Sequence, residues 1–165
     1  MLAWILVVVS APCAGAQPLV AAALDATEER LVLHEPDGAL PVFRTSDGVR
    51  LFVLDGPRVI ERLEWRGETL VGVGPEGTFV WETRTGRLLH GYATTGPFAL
   101  SDDGRYVATG HLLVEVGDPV PVRTWPEAEA VAFSDDGVSV ATMHDGAAVL
   151  HELPRPEAAP KKRRR

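Results

Sequence analysis

Short apolar runs alternate with polar turns along most of the chain. Two segments show the pattern most clearly: residues 97–111 read PFALSDDGRYVATGH, and residues 130–144 read AVAFSDDGVSVATMH. Each has an apolar strand, a Ser-Asp-Asp-Gly turn and a second apolar strand. Asp and Ser side chains bond nearby backbone N–H groups, and Gly adopts the positive φ of a tight hairpin. The pattern therefore predicts β-hairpins, and no helical periodicity follows Gln17.

These hairpins are parts of a longer repeat. The two copies align at an offset of 33 residues, which matches Ser101 with Ser134 and His111 with His144. Looser copies begin near residues 21 and 59, and further apolar strands follow in each unit. A period of about 33 to 39 residues with several turns per period is typical of a repeat architecture.

The repeat predicts an all-β, β-propeller-like array of about four four-stranded antiparallel blades over residues 17–153, with the last blade incomplete. An incomplete ring exposes sheet edges and blade faces. Three outcomes stay open: the blades close alone, two chains pair into an eight-blade ring as a homodimer, or the array is open and needs a partner. An uncleaved N-terminus is a further way to supply the missing strand, beside residues 147–153.

The motifs themselves resemble a known family. The segment Ser-Asp-Asp-Gly-x-x-x-Ala-Thr, followed by a turn and an aromatic–acidic pair before Thr-x-Thr-Gly, resembles the WD-repeat family. Trp81-Glu82 is the closest copy of the Trp-Asp signature, and Phe43-Arg44 and His151-Glu152 lie near that place in the first and last units. The resemblance covers residues 18–153 and implies a β-propeller that acts as a protein-interaction scaffold. The chain departs from the family at its Gly-His and structural Asp positions.

The resemblance also suggests where a protein partner would bind, namely the loops between blades and the second turn of each blade. The candidate binding residues are Arg58, His111, Trp125, His144 and Asp145. Trp125 has two interpretations, an exposed aromatic anchor or a residue that packs in the core or in a loop. Trp65 and Trp81 are predicted to be core residues.

The N-terminus has the pattern of a secretory signal peptide over residues 1–16. An apolar run, MLAWILVVV, precedes small residues that end in Ala14-Gly15-Ala16. We therefore expect export to the periplasm, the cell envelope or the medium. The alternative is a buried β-strand, and Cys13 is a weak candidate for lipid attachment because Pro12 precedes it.

The charge is unevenly distributed. Residues 154–165 read PRPEAAPKKRRR, which predicts an unfolded Pro/Ala linker with a basic tail. Without the five basic residues at 161–165, the chain has 11 basic residues against 23 acidic ones, a formal net charge of −12. Such a body repels phosphate backbones, so no nucleic-acid partner is expected. The tail can contact an anionic surface weakly or lie against the acidic body.

No catalytic residues, cofactor or metal site are predicted. The chain has no Gly-x-Ser-x-Gly elbow and no phosphate loop, and Ser101 and Ser134 belong to turns. The five histidines have no metal-ligand spacing, although His111 and His144 occupy matched repeat positions. The sequence thus favours an exported, non-catalytic interaction module with an unknown protein partner. The alternatives are a ligand-binding or enzymatic propeller with a site at its central channel, and a truncated repeat protein without independent function.

Overall fold

A computed structural model describes residues 21–154, which form fifteen β-strands in four antiparallel sheets. In this part of the chain, no helix is long and apolar enough to cross a membrane. The strands are β1 (Ala21–Leu24), β2 (Arg30–His34), β3 (Leu40–Arg44), β4 (Arg50–Leu54), β5 (Arg62–Arg66), β6 (Thr69–Gly74), β7 (Gly77–Glu82), β8 (Arg87–Tyr92), β9 (Phe98–Leu100), β10 (Tyr106–Thr109), β11 (Leu112–Glu115), β12 (Pro121–Thr124), β13 (Ala130–Phe133), β14 (Ser139–His144) and β15 (Ala147–Glu152).

Each sheet is a meander of consecutive strands, and we call the sheets blades 1 to 4. Blades 1, 2 and 3 have four strands each, and blade 4 has the three strands β13, β14 and β15. The first strands of the blades pack side by side, β1 against β5, β5 against β9 and β9 against β13. This arrangement confirms the predicted four-blade array with an incomplete last blade.

Three hydrophobic clusters fill the three interfaces between consecutive blades, since alternate side chains of each strand face opposite sides of its sheet. The first cluster joins blades 1 and 2 and contains Trp65 and Trp81, as predicted. The second joins blades 2 and 3 around Val80 and Val107. The third joins blades 3 and 4 around Leu113, Val140 and Trp125, among other residues.

The blades have two rims, because successive turns of a meander alternate between its ends. The connection rim contains the turn between the second and third strands of each blade and the connections between blades: residues 35–39, 55–61, 75–76, 93–97, 110–111, 125–129 and 145–146. The opposite rim contains the remaining turns: residues 25–29, 45–49, 67–68, 83–86, 101–105, 116–120 and 134–138. Hydrogen bonds link neighbouring turns within each rim, such as Trp125 N to His111 O and Thr83 N to Glu68 O.

Strand register places the aromatic–acidic signature at one equivalent position in the third strand of every blade. The residues at this position are Phe43, Trp81, Val114 and His151. Each pairs with a residue of the second strand that faces the last residue of the first strand or, in blade 2, the last but one. The sequence comparison therefore located this position correctly in blades 1, 2 and 4. The predicted signal peptide, the closing role of the N-terminus and the basic tail fall on residues outside the described range, and they stay predictions.

Candidate partner-binding surface

The structure brings all the predicted binding residues to the connection rim. Arg58 lies in the connection between blades 1 and 2, and Trp125 lies in the one between blades 3 and 4. His111 is in the turn after β10, while His144 and Asp145 are where β14 meets its turn. These positions follow from the topology, since connections and second turns share one end of the meander.

The Arg58 side chain is exposed, and a hydrogen bond from blade 1 holds its backbone in place. Its carbonyl oxygen accepts a hydrogen bond from Nε2 of the buried His34, with 3.2 Å between the two atoms. A Cβ on Gly38 would come within 3.1 Å of the Arg58 Cα, so the β2–β3 turn needs glycine to lie this close to the connection. The anchored backbone leaves the guanidinium group free to reach a partner.

Trp125 is buried, with 8% of its surface exposed. Its indole Nε1 donates to the Gly110 carbonyl at 3.2 Å. Its ring stacks on the His151 ring, with 5.2 Å between centroids and 14° between planes. These contacts contradict the interpretation of Trp125 as an exposed anchor and agree with core packing. The sequence could not decide between them because His151 is on β15, three strands further along the chain.

His111 and His144 share the connection rim but have different surroundings. His111 is exposed, and its carbonyl accepts the Trp125 backbone N–H at 3.0 Å. His144 is half-buried, and its Nδ1 lies 3.0 Å from the carbonyl of Glu127. Within residues 21–154, no group of three or more His, Cys, Asp or Glu side chains is placed to hold a metal ion. The matched histidines are therefore separate features of the rim.

A chain of hydrogen bonds runs through blade 4 to the connection rim, and sequence reasoning missed it. Arg123 Nη1 lies 3.3 Å from His151 Nδ1, and His151 Nε2 lies 3.0 Å from Thr142 Oγ1. His144 Nε2 lies 2.9 Å from the same hydroxyl. Arginine only donates and a carbonyl only accepts, which sets the direction of every bond. Arg123 donates to His151, His151 to Thr142, Thr142 to His144, and His144 to the Glu127 carbonyl.

This chain of bonds requires a neutral His151. Burial, followed by the positive charge of Arg123, lowers the pKa of His151 below its ordinary value of 6.5. Protonation would place a proton on Nδ1, which then repels the Arg123 donor. The folded chain therefore binds a proton at this ring less readily than the unfolded chain does.

Stability should consequently fall in mild acid. A histidine with a depressed folded pKa stabilises the fold fully above pH 6.5, and this contribution is lost as the pH falls from there through the folded pKa. We expect urea unfolding to give a lower free energy at about pH 5 than at about pH 7.5, and His151→Gln should reduce this difference. His111→Gln, an exposed matched control, should keep the parent's difference.

Glu64 has the opposite effect on the pH dependence of stability, because burial raises the pKa of its carboxyl group above 4.5. Its contribution is complete below that value and is lost as the pH rises through the folded pKa. Parent and variants all retain Glu64, so this contribution cancels in the comparison. An unchanged pH dependence in His151→Gln would contradict the assignment to His151.

The two rims differ in their ion pairs. Among the described residues, every ion pair uses an arginine in the opposite rim or in the strand residue next to it: Arg30–Asp25, Arg44–Asp47, Arg66 with Glu64 and Asp102, Arg84 with Glu68 and Glu82, and Arg105–Glu115. The connection rim contains Arg58 as its one Lys or Arg within residues 21–154. Its acidic residues are Glu35, Asp37, Asp55, Glu61, Glu76, Glu127, Glu129 and Asp145, and none of them forms an ion pair with another described residue.

Known structures share this architecture. The crystal structure of the computationally designed Ika4 protein matches with a TM-score of 0.64 at 20% identity, over 87% of this chain and 96% of that chain. The C-terminal WD40 domain of Sif2 matches with a TM-score of 0.65 at 17% identity, over 82% of this chain and 43% of that chain. The described residues form an incomplete β-propeller. The resemblance to WD repeats thus agrees with the fold of the similar structures.

A third similar structure, the designed Ika8 protein, has a TM-score of 0.63 at 21% identity, over 82% of this chain and 46% of that chain. The chain spans less than half of the Sif2 and Ika8 chains and nearly all of the Ika4 chain. No family model matches the sequence, and no curated protein matches it. At these identities the likeness concerns the fold, and function has to be argued from the surface.

Proposed function

We propose that this protein is an exported, non-catalytic interaction module that binds a protein partner through its connection rim. The observation that supports the proposal is the charge of the connection rim. Among the described residues it has eight carboxylates without an ion pair and one arginine, whereas ion pairs with arginine neutralise part of the charge of the opposite rim. A rim with this potential attracts a basic protein surface and speeds its encounter.

The geometry of the rim suits recognition of a protein surface. Its turns come from all four blades and are held by hydrogen bonds to one another, such as Ala128 N to Gly110 O at 2.6 Å. Loops held by a rigid scaffold are where binding residues commonly lie. His111, Asp145 and the Arg58 side chain are exposed on this rim and can contribute polar contacts.

Export is part of the proposal and depends on the N-terminal pattern, which lies outside the described residues. Cleavage after Ala16 would leave a mature chain without cysteine, since Cys13 is the one cysteine of the sequence. The basic tail is proposed as an accessory contact for anionic surfaces. A tail of this composition can also occupy the acidic rim of its own chain.

Affinity capture from an envelope extract, read by mass spectrometry, tests this function. We expect the parent to retain a basic protein, and Glu127→Lys with Glu129→Lys to weaken binding about tenfold, at roughly 0.5–1 kcal/mol for each reversed charge. Asp135→Lys is the matched control, because Asp135 is exposed in a turn of the opposite rim and forms no ion pair there. The same spectra show whether the exported protein begins at Gln17.

Each other outcome has a definite meaning. A partner held equally by the Glu127 and Glu129 variant would contradict binding through the rim. A partner lost when the chain ends at Pro160 would move the function to the basic tail. Retention of nothing by the parent would contradict the module and favour a central-channel ligand or a chain without independent function.

A further inference from the structure

Within residues 21–154, two blade faces have no other blade packed against them after the three interfaces are formed. In every interface, one blade contributes its leading face, towards the next blade, and the other contributes its trailing face, towards the previous one. By strand register, the trailing face of blade 1 contains Leu24, Leu31, Leu33 and Phe43. The leading face of blade 4 contains Ala132, Ala141, Met143 and Leu150. Both faces are apolar.

Exposure shows that these faces do not cover each other within one chain. On blade 4, Leu150 is 72% exposed and Met143 is 38% exposed. On blade 1, Val53 of the outer strand is 46% exposed, and Leu24, Leu31, Leu33 and Phe43 are half-buried. The three hydrophobic clusters join blades 1 and 2, 2 and 3, and 3 and 4, and within residues 21–154 none joins blade 4 to blade 1. Apolar side chains exposed together on a sheet face mark an interaction site.

The two faces also match each other in side-chain size. The leading faces of blades 1 and 3 carry alanines on the inner strands, namely Ala23 in blade 1 and Ala99 and Ala108 in blade 3, whereas that of blade 2 carries Glu64. Trailing faces carry larger residues, such as Trp65 in blade 2 and Leu100 in blade 3. The free leading face has Ala132 and Ala141, and the free trailing face has leucines. Small and large residues on facing surfaces interdigitate, so the free pair repeats the pattern of two formed interfaces, between blades 1 and 2 and between blades 3 and 4.

We propose that a second copy of this chain covers both free faces, and that the two copies close an eight-blade ring. The leading face of blade 4 in one copy packs on the trailing face of blade 1 in the other, and the same contact forms a second time across a two-fold axis. Because the contact joins two different surfaces, a dimer covers all four free faces only if the two copies form a closed ring.

A second copy suits this role better than a single segment of the same chain. An added strand pairs with the edge of β15 through backbone hydrogen bonds and completes the blade, but it leaves the face with Met143 and Leu150 uncovered. A face needs another sheet packed about 10 Å away. Among the described sheets, blade 1 has the unoccupied face that matches.

The test is the mass of the purified full chain in solution, measured by size exclusion with light scattering. We expect twice the 17.8 kDa mass of the single chain. Leu150→Lys should reduce the mass to that of one chain, since a lysine at the centre of a dry interface stays uncompensated. Val120→Lys is the matched control and should stay dimeric, because Val120 is 65% exposed on the opposite rim, away from both free faces. Circular dichroism of each variant confirms that the strands are formed.

The remaining outcomes would overturn the proposal. A single-chain mass for the parent excludes the dimer, and a dimeric Leu150→Lys variant places the contact elsewhere. Open series of larger oligomers would show that the contact does not close. Loss of the dimer after deletion of residues 1–20 would make that segment the occupant. Since the measurement uses the isolated chain, its failure leaves the partner-binding proposal untouched, and the reverse also holds.

Discussion

Replacement of Trp81 by alanine is expected to lower the free energy of unfolding by about 3–5 kcal/mol, as for other fully buried large side chains. Trp81 has no exposed surface and lies in the cluster between blades 1 and 2. Its indole Nε1 donates to the Asp55 carbonyl at 2.6 Å. The substitution would therefore open a cavity and leave a carbonyl group without its donor.

The surroundings of Trp81 leave little room for collapse around such a cavity. A Cβ on Gly56 would lie 2.8 Å from the Trp81 ring, and one on Gly72 would lie 3.0 Å from it, so both backbones already touch the indole. Gly56 belongs to the connection that carries Arg58. We expect the cost to extend to the geometry of the connection rim, because that connection uses the indole as its support.

Urea unfolding followed by circular dichroism measures the effect of Trp81→Ala. Leu88→Ala is the control, since Leu88 is on the next strand of the same blade, is 37% exposed and should cost less than about 1 kcal/mol. Trp81→Phe separates packing from hydrogen bonding, and we expect about 1–3 kcal/mol for it. Equal losses for Trp81→Ala and Leu88→Ala would contradict the central role of Trp81.

The repeat made the fold predictable from sequence. The Ser-Asp-Asp-Gly turns at 101–104 and 134–137 fixed two hairpins, since Ser101 and Ser134 bond the backbone N–H five residues ahead. Gly104 and Gly137 adopt positive φ values of 70° and 67°, as a tight turn requires. Such features are local, and they recur at a constant offset. Four blades with a short last one followed directly from counting them.

The candidate surface was only partly predictable, because its energetics depend on contacts between blades. Arg58, His111 and Asp145 could be assigned to one rim, since meander turns alternate between ends. The burial of Trp125 depends on stacking against His151, which no local pattern reveals. The chain of hydrogen bonds from Arg123 to Glu127 could not be predicted for the same reason. Only one part of it is local, since Thr142 and His144 are two residues apart and share a face of β14.

His151 shows that one strand position makes different contacts in different blades. It occupies the position that Trp81 has in blade 2, yet its ring stacks on Trp125 and bonds Thr142. In blade 3 the same position is Val114, and the hydroxyl of Thr109, which matches Thr142, is buried without a hydrogen-bond partner among the described residues. The polar series is thus specific to blade 4, where it ties the last described blade to the connection before it.

Replacement of Gly77 by alanine is the second large expected effect, with a loss of about 2–5 kcal/mol of unfolding free energy. Gly77 follows the β6–β7 turn and has a φ of 135°, which side-chain-bearing residues rarely adopt. A Cβ at this position would also overlap the carbonyl oxygen of Tyr92. Tyr92 ends β8, and its carbonyl accepts the Thr94 backbone N–H at 2.7 Å. Because the overlapping atom belongs to the backbone, no change of side-chain rotamer can relieve the clash.

Gly96→Ala isolates the part of this effect that comes from φ alone. Gly96 has a φ of 101°, and a Cβ there would have no heavy atom within 4 Å, so we expect a cost of about 1–2 kcal/mol. Gly96 lies in the link from blade 2 to blade 3, and Gly77 begins the strand next to a turn of the same rim. Thermal and urea unfolding of the two variants compare them directly. If Gly77→Ala lowers the free energy of unfolding no more than Gly96→Ala does, close contact between Gly77 and the Tyr92 carbonyl contributes nothing to the effect. A larger cost for Gly77→Ala means that close backbone contact, together with the Trp81 cluster, fixes the spacing of the rim's turns.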